Sequence, residues 1–124
     1  MRSASAGATR LAALRASLQP ASYSDKLLEK LLPYFDEVTL PAGSLVAREG
    51  ALCSQFVVVV CGRLQATANG AQCVTLGAGD SVGWKAMWER SSNDSSVVVA
   101  NDARLLVMSH AQFRAVKAML EPAA

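Results

Sequence analysis

Asn69-Gly70 is the feature that most narrows what this chain can become. A type I′ turn needs positive φ at both central residues, and Asn-Gly takes that geometry more readily than almost any other pair. Before it, Leu64, Ala66 and Ala68 alternate with polar residues; after it, residues 72–76 read as the returning strand. The same two-residue period recurs along the chain. Val38 and Leu40 lead to a turn at Pro41-Ala42-Gly43, then come Leu45 and Ala47 and a second turn at Glu49-Gly50. The apolar run of residues 56–61 reads as a buried strand closed by Gly62, and Gly77-Ala78-Gly79-Asp80 as a tight turn. Residues 97–100, a turn at Asn101-Asp102 and a strand over residues 104–108 complete the pattern.

Helices bracket these strands. Ser24-Asp25 followed by Leu27, Leu28, Leu31 and Leu32 predicts a capped amphipathic helix that stops at Pro33. Ser109 and Gln112 have the spacing of a capping box, with Phe113, Val116 and Leu120 as the apolar stripe of a last helix. The sequence therefore predicts a mainly β fold with flanking helices: an antiparallel, jelly-roll-like β-roll with N-terminal helices and a C-terminal helix.

A chain of 124 residues suits one domain, and 52% hydrophobic against 18% charged residues excludes intrinsic disorder. A net charge of +2, with the basic residues dispersed along the sequence, gives no ground for a nucleic-acid partner. No apolar run approaches membrane-spanning length, so no membrane association is expected. Cys53, Cys61 and Cys73 form an odd set without C-x-x-C spacing, which argues against zinc and disulfides. They read as small buried hydrophobes in a reducing, cytoplasmic setting, although Cys61 and Cys73 flank the predicted hairpin and could face each other. Residues 1–23 carry Arg2, Arg10 and Arg15 and no acid. That composition fits a targeting segment, and Leu11, Leu14 and Leu18 fit a packing helix equally well.

Residues 79–97, Gly-Asp-Ser-Val-Gly-Trp-Lys-Ala-Met-Trp-Glu-Arg-Ser-Ser-Asn-Asp-Ser-Ser-Val, resemble the phosphate-binding cassette of the cyclic nucleotide-binding domain family. The family pattern is roughly G-D-x-F-G-E-[LI]-A-L, a short loop, then P-R-x-A-[TS]-V. Leu40-Pro41-Ala42-Gly43, Arg48-Glu49-Gly50, Phe56-Val57-Val58 and Gly62 are similar to the family's opening strands. Arg104-Leu105-Leu106-Val107-Met108 through Phe113 is similar to its last strand and following helix. The resemblance implies a nucleotide-binding-type domain over residues 24–120, an arm over residues 1–23 and a tail over residues 121–124.

The residues that grip the nucleotide differ from the pattern. Trp84 stands where the family's Glu accepts a hydrogen bond from the ribose, and Asn93 where its Arg pairs with the cyclic phosphate. An indole offers one donor and no acceptor, and an amide offers no charge. The candidate ligand-binding residues are those of the cassette: Gly83, Trp84, Lys85, Ala86, Arg90, Asn93, Asp94, Ser95 and Ser96. Lys85 and Arg90 are the cations that could take over the phosphate, and an indole at position 84 is expected to project into the pocket as the family's Glu does. Trp84 and Trp88 share a helix face, either filling space beside Val82 or forming a ligand or partner surface.

Nothing predicts catalysis, a metal or a cofactor. His110 is the sole histidine and reads as a solvated helix-start residue without a partner nucleophile. Asp80, Asp94 and Asp102 read as turn residues and Glu89-Arg90 as a solvated loop face. The family usually continues past this point into a long helix and an effector, so a chain ending at Ala124 is expected to be a fragment or a module acting through a partner. Three functions follow: a non-catalytic regulatory module with a degenerate cassette that acts on a protein partner or effector chain, a sensor of a cyclic nucleotide or other small ligand, and a domain that builds a homodimer.

Overall fold

The computed structural model describes residues 12–13 and 24–120. Helix α1 spans Asp25–Leu31, capped by Ser24, whose hydroxyl accepts a hydrogen bond from the Leu27 N–H at 3.2 Å. A 3₁₀ turn, Leu32–Tyr34, takes the chain past Pro33 into the strands. These are β1 (Asp36–Leu40), β2 (Leu45–Ala47), β3 (Gln55–Ala68), β4 (Ala71–Leu76), β5 (Ser81–Val82) and β6 (Ser96–Ser109). Helix α2, Trp84–Glu89, lies between β5 and β6, and helix α3, His110–Leu120, follows β6. All strand pairings are antiparallel, in the order β1-β6-β3-β4, with β2 on β6 and β5 on β3.

Two strands of 14 residues each, β3 and β6, form the spine of the roll. Gln55 to Val59 run against Leu105 to Ser109, and Leu64 to Thr67 against Ser96 to Val99. Between these halves the register shifts at Val59/Cys61, Cys61/Arg63 and Arg63/Leu64, so the ribbon bends without coming apart. The sequence predicted separate strands on each side of Gly62 and a turn at Asn101-Asp102. Both are instead corners inside continuous strands. Gly62 adopts φ 93°, and a Cβ there would lie 2.5 Å from the Asp102 carbonyl oxygen. Only glycine lets the two strands cross so closely.

The apolar run 56–61 is continuous because β3 is covered on both faces. Val57 and Val59 point into the roll, among Val46, Leu64, Val97, Val99 and Leu105. Phe56, Val58 and Val60 point outward, where Leu28, Leu31, Phe35, Met87, Phe113 and Val116 cover them. Ala13 is buried in this second cluster. The Asn69-Gly70 turn has the expected positive φ at both residues, 55° and 79°. The capping box also forms: the Ser109 N–H donates to Gln112 Oε1 at 2.8 Å and the Gln112 N–H to Ser109 Oγ at 3.2 Å.

The cysteines divide. Cys53 is buried, whereas Cys61, expected inside, is an exposed free thiol at the bend. Cys61 does not oppose Cys73, because β4 pairs with β3 only over Leu64 to Ala68. The predicted helix containing Leu11, Leu14 and Leu18 lies outside the described residues apart from Ala12 and Ala13, which are helical.

Candidate functional site

At Gly83 the chain leaves β5 and turns into α2. The φ of 97° and a would-be Cβ contact of 2.7 Å with the Gln55 carbonyl oxygen make this another position only glycine can hold. Helix α2 ends at Arg90, which adopts a left-handed conformation (φ 52°) and returns the chain into the Ser91–Ser95 loop. That loop is fastened to the Glu49-Gly50 corner like a short ladder. Gly50 N–H donates to the Asn93 carbonyl at 2.9 Å, Asn93 N–H to Ala51 at 2.8 Å, and Cys53 N–H to Ser91 at 3.0 Å. Ser96 Oγ accepts from the Glu49 N–H at 2.9 Å, while the Glu49 carboxylate accepts from the Asn69 N–H at the hairpin tip.

Between α2 and this loop opens a cleft of about 300 Å³. Of the residues singled out from the sequence, Gly83, Lys85, Ala86, Asn93, Asp94 and Ser95 line it. Val82, Glu89, Ser91 and Ser92 line it as well and were not among those candidates, although they lie in the same cassette. Trp84, Arg90 and Ser96 do not line it.

Trp84 turns the other way. Its ring sits 4.8 Å from Phe56, 5.8 Å from Trp88 and 5.9 Å from Phe113, centroid to centroid. It belongs to the cluster under the helices, whereas Val82 packs against the interior of the roll. The expected projection of the indole into the pocket is therefore corrected. A tight glycine turn separates Val82 from Trp84, and the apolar surface of Phe56 and Phe113 draws the indole to the opposite side of the sheet. Trp88 packs edge-on against Phe113 at 5.3 Å, with the Lys117 ammonium 5.4 Å above its ring.

Arg90 is likewise turned from the cleft; it is exposed, as expected, but also engaged. Its Nη1 lies 2.9 Å from Nε2 of His110, the first residue of α3. A guanidinium has only donors, so the imidazole accepts at Nε2 and carries its proton on Nδ1. His110 is thus half-buried and engaged. No sequence signal could have joined two residues so far apart on different helices.

Electrostatically the cleft is mixed. Among the described residues Lys85 is its one lining cation, and Glu89 and Asp94 are its two carboxylates. Lys85 lies 4.0 Å from Glu89, one helical turn on, with both side chains largely in water, so the pair contributes little energy. The Asn93 side-chain amide donates to the Arg48 carbonyl at 2.9 Å and is occupied in closing the loop. Cys53 donates to the Gln55 carbonyl at 3.4 Å, and burial pushes its thiol above the ordinary cysteine value. Asp80 is a turn residue as expected and accepts from the Gly77 N–H at 2.8 Å, whereas Asp102 sits at the corner within β6 and accepts from the Ala42 N–H at 3.0 Å. Among the described residues no cluster of His, Cys, Asp and Glu could hold a metal, and no helix is long and apolar enough to cross a membrane.

Solved structures with the same architecture include a cyclic nucleotide-binding-like protein from Brucella abortus, with a TM-score of 0.74 at 19% identity over 87% of this chain and 97% of that one. The regulatory domain of Toxoplasma gondii PKA, solved with cAMP, gives a TM-score of 0.74 at 22% identity over 89% of this chain and 44% of that one. The catabolite activator protein of Thermus thermophilus gives 0.66 at 24% identity, over 87% and 51% of the two chains. In sequence, the chain is 28% identical to the Pycsar effector protein XpPycTIR of Xanthomonas perforans over 110 residues. That match takes in 88% of this chain but only 36% of the relative's length. Residues 37–118 match the cyclic nucleotide-binding domain, from β1 into α3. This chain belongs to the cyclic nucleotide-binding domain family.

Proposed function

We propose that the chain is a non-catalytic regulatory module in which the family's cleft is kept but its grip on cAMP is lost, and that it acts by engaging a partner protein or effector chain. Residues 24–120 form the working unit in this reading, with residues 1–23 as an arm and 121–124 as a tail. The observation that carries it is the state of Asn93. It stands where the resemblance places the phosphate-binding Arg, and its amide is already spent on the Arg48 carbonyl. A cyclic phosphate entering the cleft would meet Lys85 but also Glu89 and Asp94. Losing a charge-assisted pair to a partly desolvated phosphate costs about 2–5 kcal/mol. The relative named as a Pycsar effector protein supports the effector part of this reading, since the match falls on a fraction of a longer chain. A cytoplasmic location agrees with the exposed free thiol of Cys61, which a reducing environment preserves.

A second reading, a small-molecule sensor, is favoured by one fact: the cleft is open rather than plugged by tryptophan. Calorimetry with the four 3′,5′-cyclic nucleotides separates the two. The regulatory reading expects cAMP and cGMP to bind no tighter than about 100 μM. Low-micromolar binding of any of the four, lost in Lys85→Ala, establishes the sensor instead.

A further inference from the structure

Basic residues that are scattered in the sequence converge at one place in the fold. Arg90 leaves the end of α2, and His110, Arg114 and Lys117 line one face of α3. Around them a hollow of about 260 Å³ is floored by Met87 and Phe113. A second hollow, of about 250 Å³, lies on the far side of the Arg90–His110 hydrogen bond, where Leu52, Cys53 and Ser54 form the wall. Both hollows are lined by Arg90 and His110, so they adjoin at that hydrogen-bonded pair and make up a groove divided by it.

Three properties of this groove point to its occupant. Among the described residues it has no carboxylate in its lining, and Arg90, Arg114 and Lys117 form no ion pair. Two of the cations are nonetheless held in place, Arg90 by His110 and Lys117 above Trp88, which reduces the ordering entropy a ligand must overcome. At one end Leu52 is 58% exposed, a large apolar side chain beside a cationic strip. The arm of this chain, with three arginines and no acid before Asp25, has the wrong charge to lie there.

We propose that this groove docks an acidic segment of a partner protein, with carboxylates on Arg90, Arg114 and Lys117 and an apolar side chain against Leu52. The proposal rests on the regulatory reading above and supplies its contact surface, on the opposite side of α2 from the cleft. Charge complementarity of this kind sets encounter rate and register, and the apolar anchor adds specificity.

The test is fluorescence anisotropy with a labelled twelve-residue peptide of Asp and Glu carrying one central Leu. The control is the same peptide with Asn and Gln in place of the acids. The whole chain is expected to prefer the acidic peptide by about tenfold or more, and to lose most of that preference between low and high salt. Arg114→Gln with Lys117→Gln is expected to weaken binding about tenfold, and Leu52→Ala about threefold, without a change in melting temperature. Arg114→Glu alone provides a second variant should the double one unfold. Equal binding of both peptides, or acidic-peptide binding indifferent to these changes, overturns the proposal. Tighter binding of a single-stranded RNA, or self-association abolished by Arg114→Glu, also overturns it by giving the groove another occupant. Failure of the peptide with calorimetry silent for the nucleotides removes the groove and leaves the regulatory reading. Low-micromolar nucleotide binding removes that reading whatever the peptide does.

Discussion

Trp84 shows how one side chain's direction decides the chemistry of the cassette. Its ring touches Phe56, Trp88 and Phe113, so the indole joins the roll to α3 and leaves the cleft empty. Trp84→Ala is expected to cost about 3 kcal/mol in urea denaturation, at the low end for a tryptophan because the ring is half-buried. It should bring no gain in cAMP affinity, since nothing is unplugged; a gain would return the indole to the pocket. For the same reason Trp84→Glu cannot restore a ribose acceptor. It would place a carboxylate in an aromatic cluster, where desolvation penalises the charge. Cys53 offers a pH-dependent test at the same size of object. Its folded-state thiol is raised above the ordinary 9.0 by burial, so the folded chain holds this proton more tightly than the unfolded chain. That contribution is complete below about pH 9 and is lost as pH rises through the raised value. Stability should therefore fall on the alkaline side more steeply for the parent than for Cys53→Ala. Alkylation at neutral pH should mark the exposed Cys61 well before Cys53.

At the level of helices and strands, what could be read in advance follows the range of each signal. The Ser24 cap, the stop at Pro33, the Asn69-Gly70 turn and the Ser109/Gln112 box involve residues within a few positions of each other, and all form as expected. The box can be tested directly. Ser109→Ala removes the acceptor for the Gln112 N–H and should cost about 1 kcal/mol, read as a lowered urea midpoint with unchanged slope. Signals that depend on the rest of the fold were ambiguous. Gly62 and Asn101-Asp102 suit a loop as well as a bulge, and only the pairing of β3 with β6 makes them corners within strands. The cassette was visible as a frame, and its six lining candidates lie together because they are close in sequence. Which way Trp84 and Arg90 turn depends on Phe56, Phe113 and His110, which lie on other elements. Local pattern alone could not assign them.

The whole molecule depends on the bend shared by β3 and β6, since it divides the apolar residues between a roll interior and a helix-covered face. Without it, Val57 and Val59 would face no opposing layer, and Leu64 and Val99 could not close over them. The cassette depends on the same bend, because β5 and the turn before it attach to β3 beside it: Val59 N–H donates to the Asp80 carbonyl and Gly79 N–H to the Val59 carbonyl, each at 2.9 Å. Gly62 sets the geometry of that bend. A methyl group there would lie 2.5 Å from the Asp102 oxygen, 2.6 Å from the Ala103 Cα and 2.8 Å from its Cβ, and the residue would also have to hold φ near 93°. The first two neighbours are backbone, which cannot swing aside as a side chain can. Gly62→Ala should therefore cost about 3 kcal/mol or more, combining left-handed strain of about 1–2 kcal/mol with an overpacking penalty of about 1–3 kcal/mol. Gly43 has nearly the same φ with open space around it, so Gly43→Ala should lose only the strain component. Comparing the two melting temperatures separates crossing from conformation. Equal losses would mean that the strands at Gly62 have room to part, and that the corner is set by φ alone.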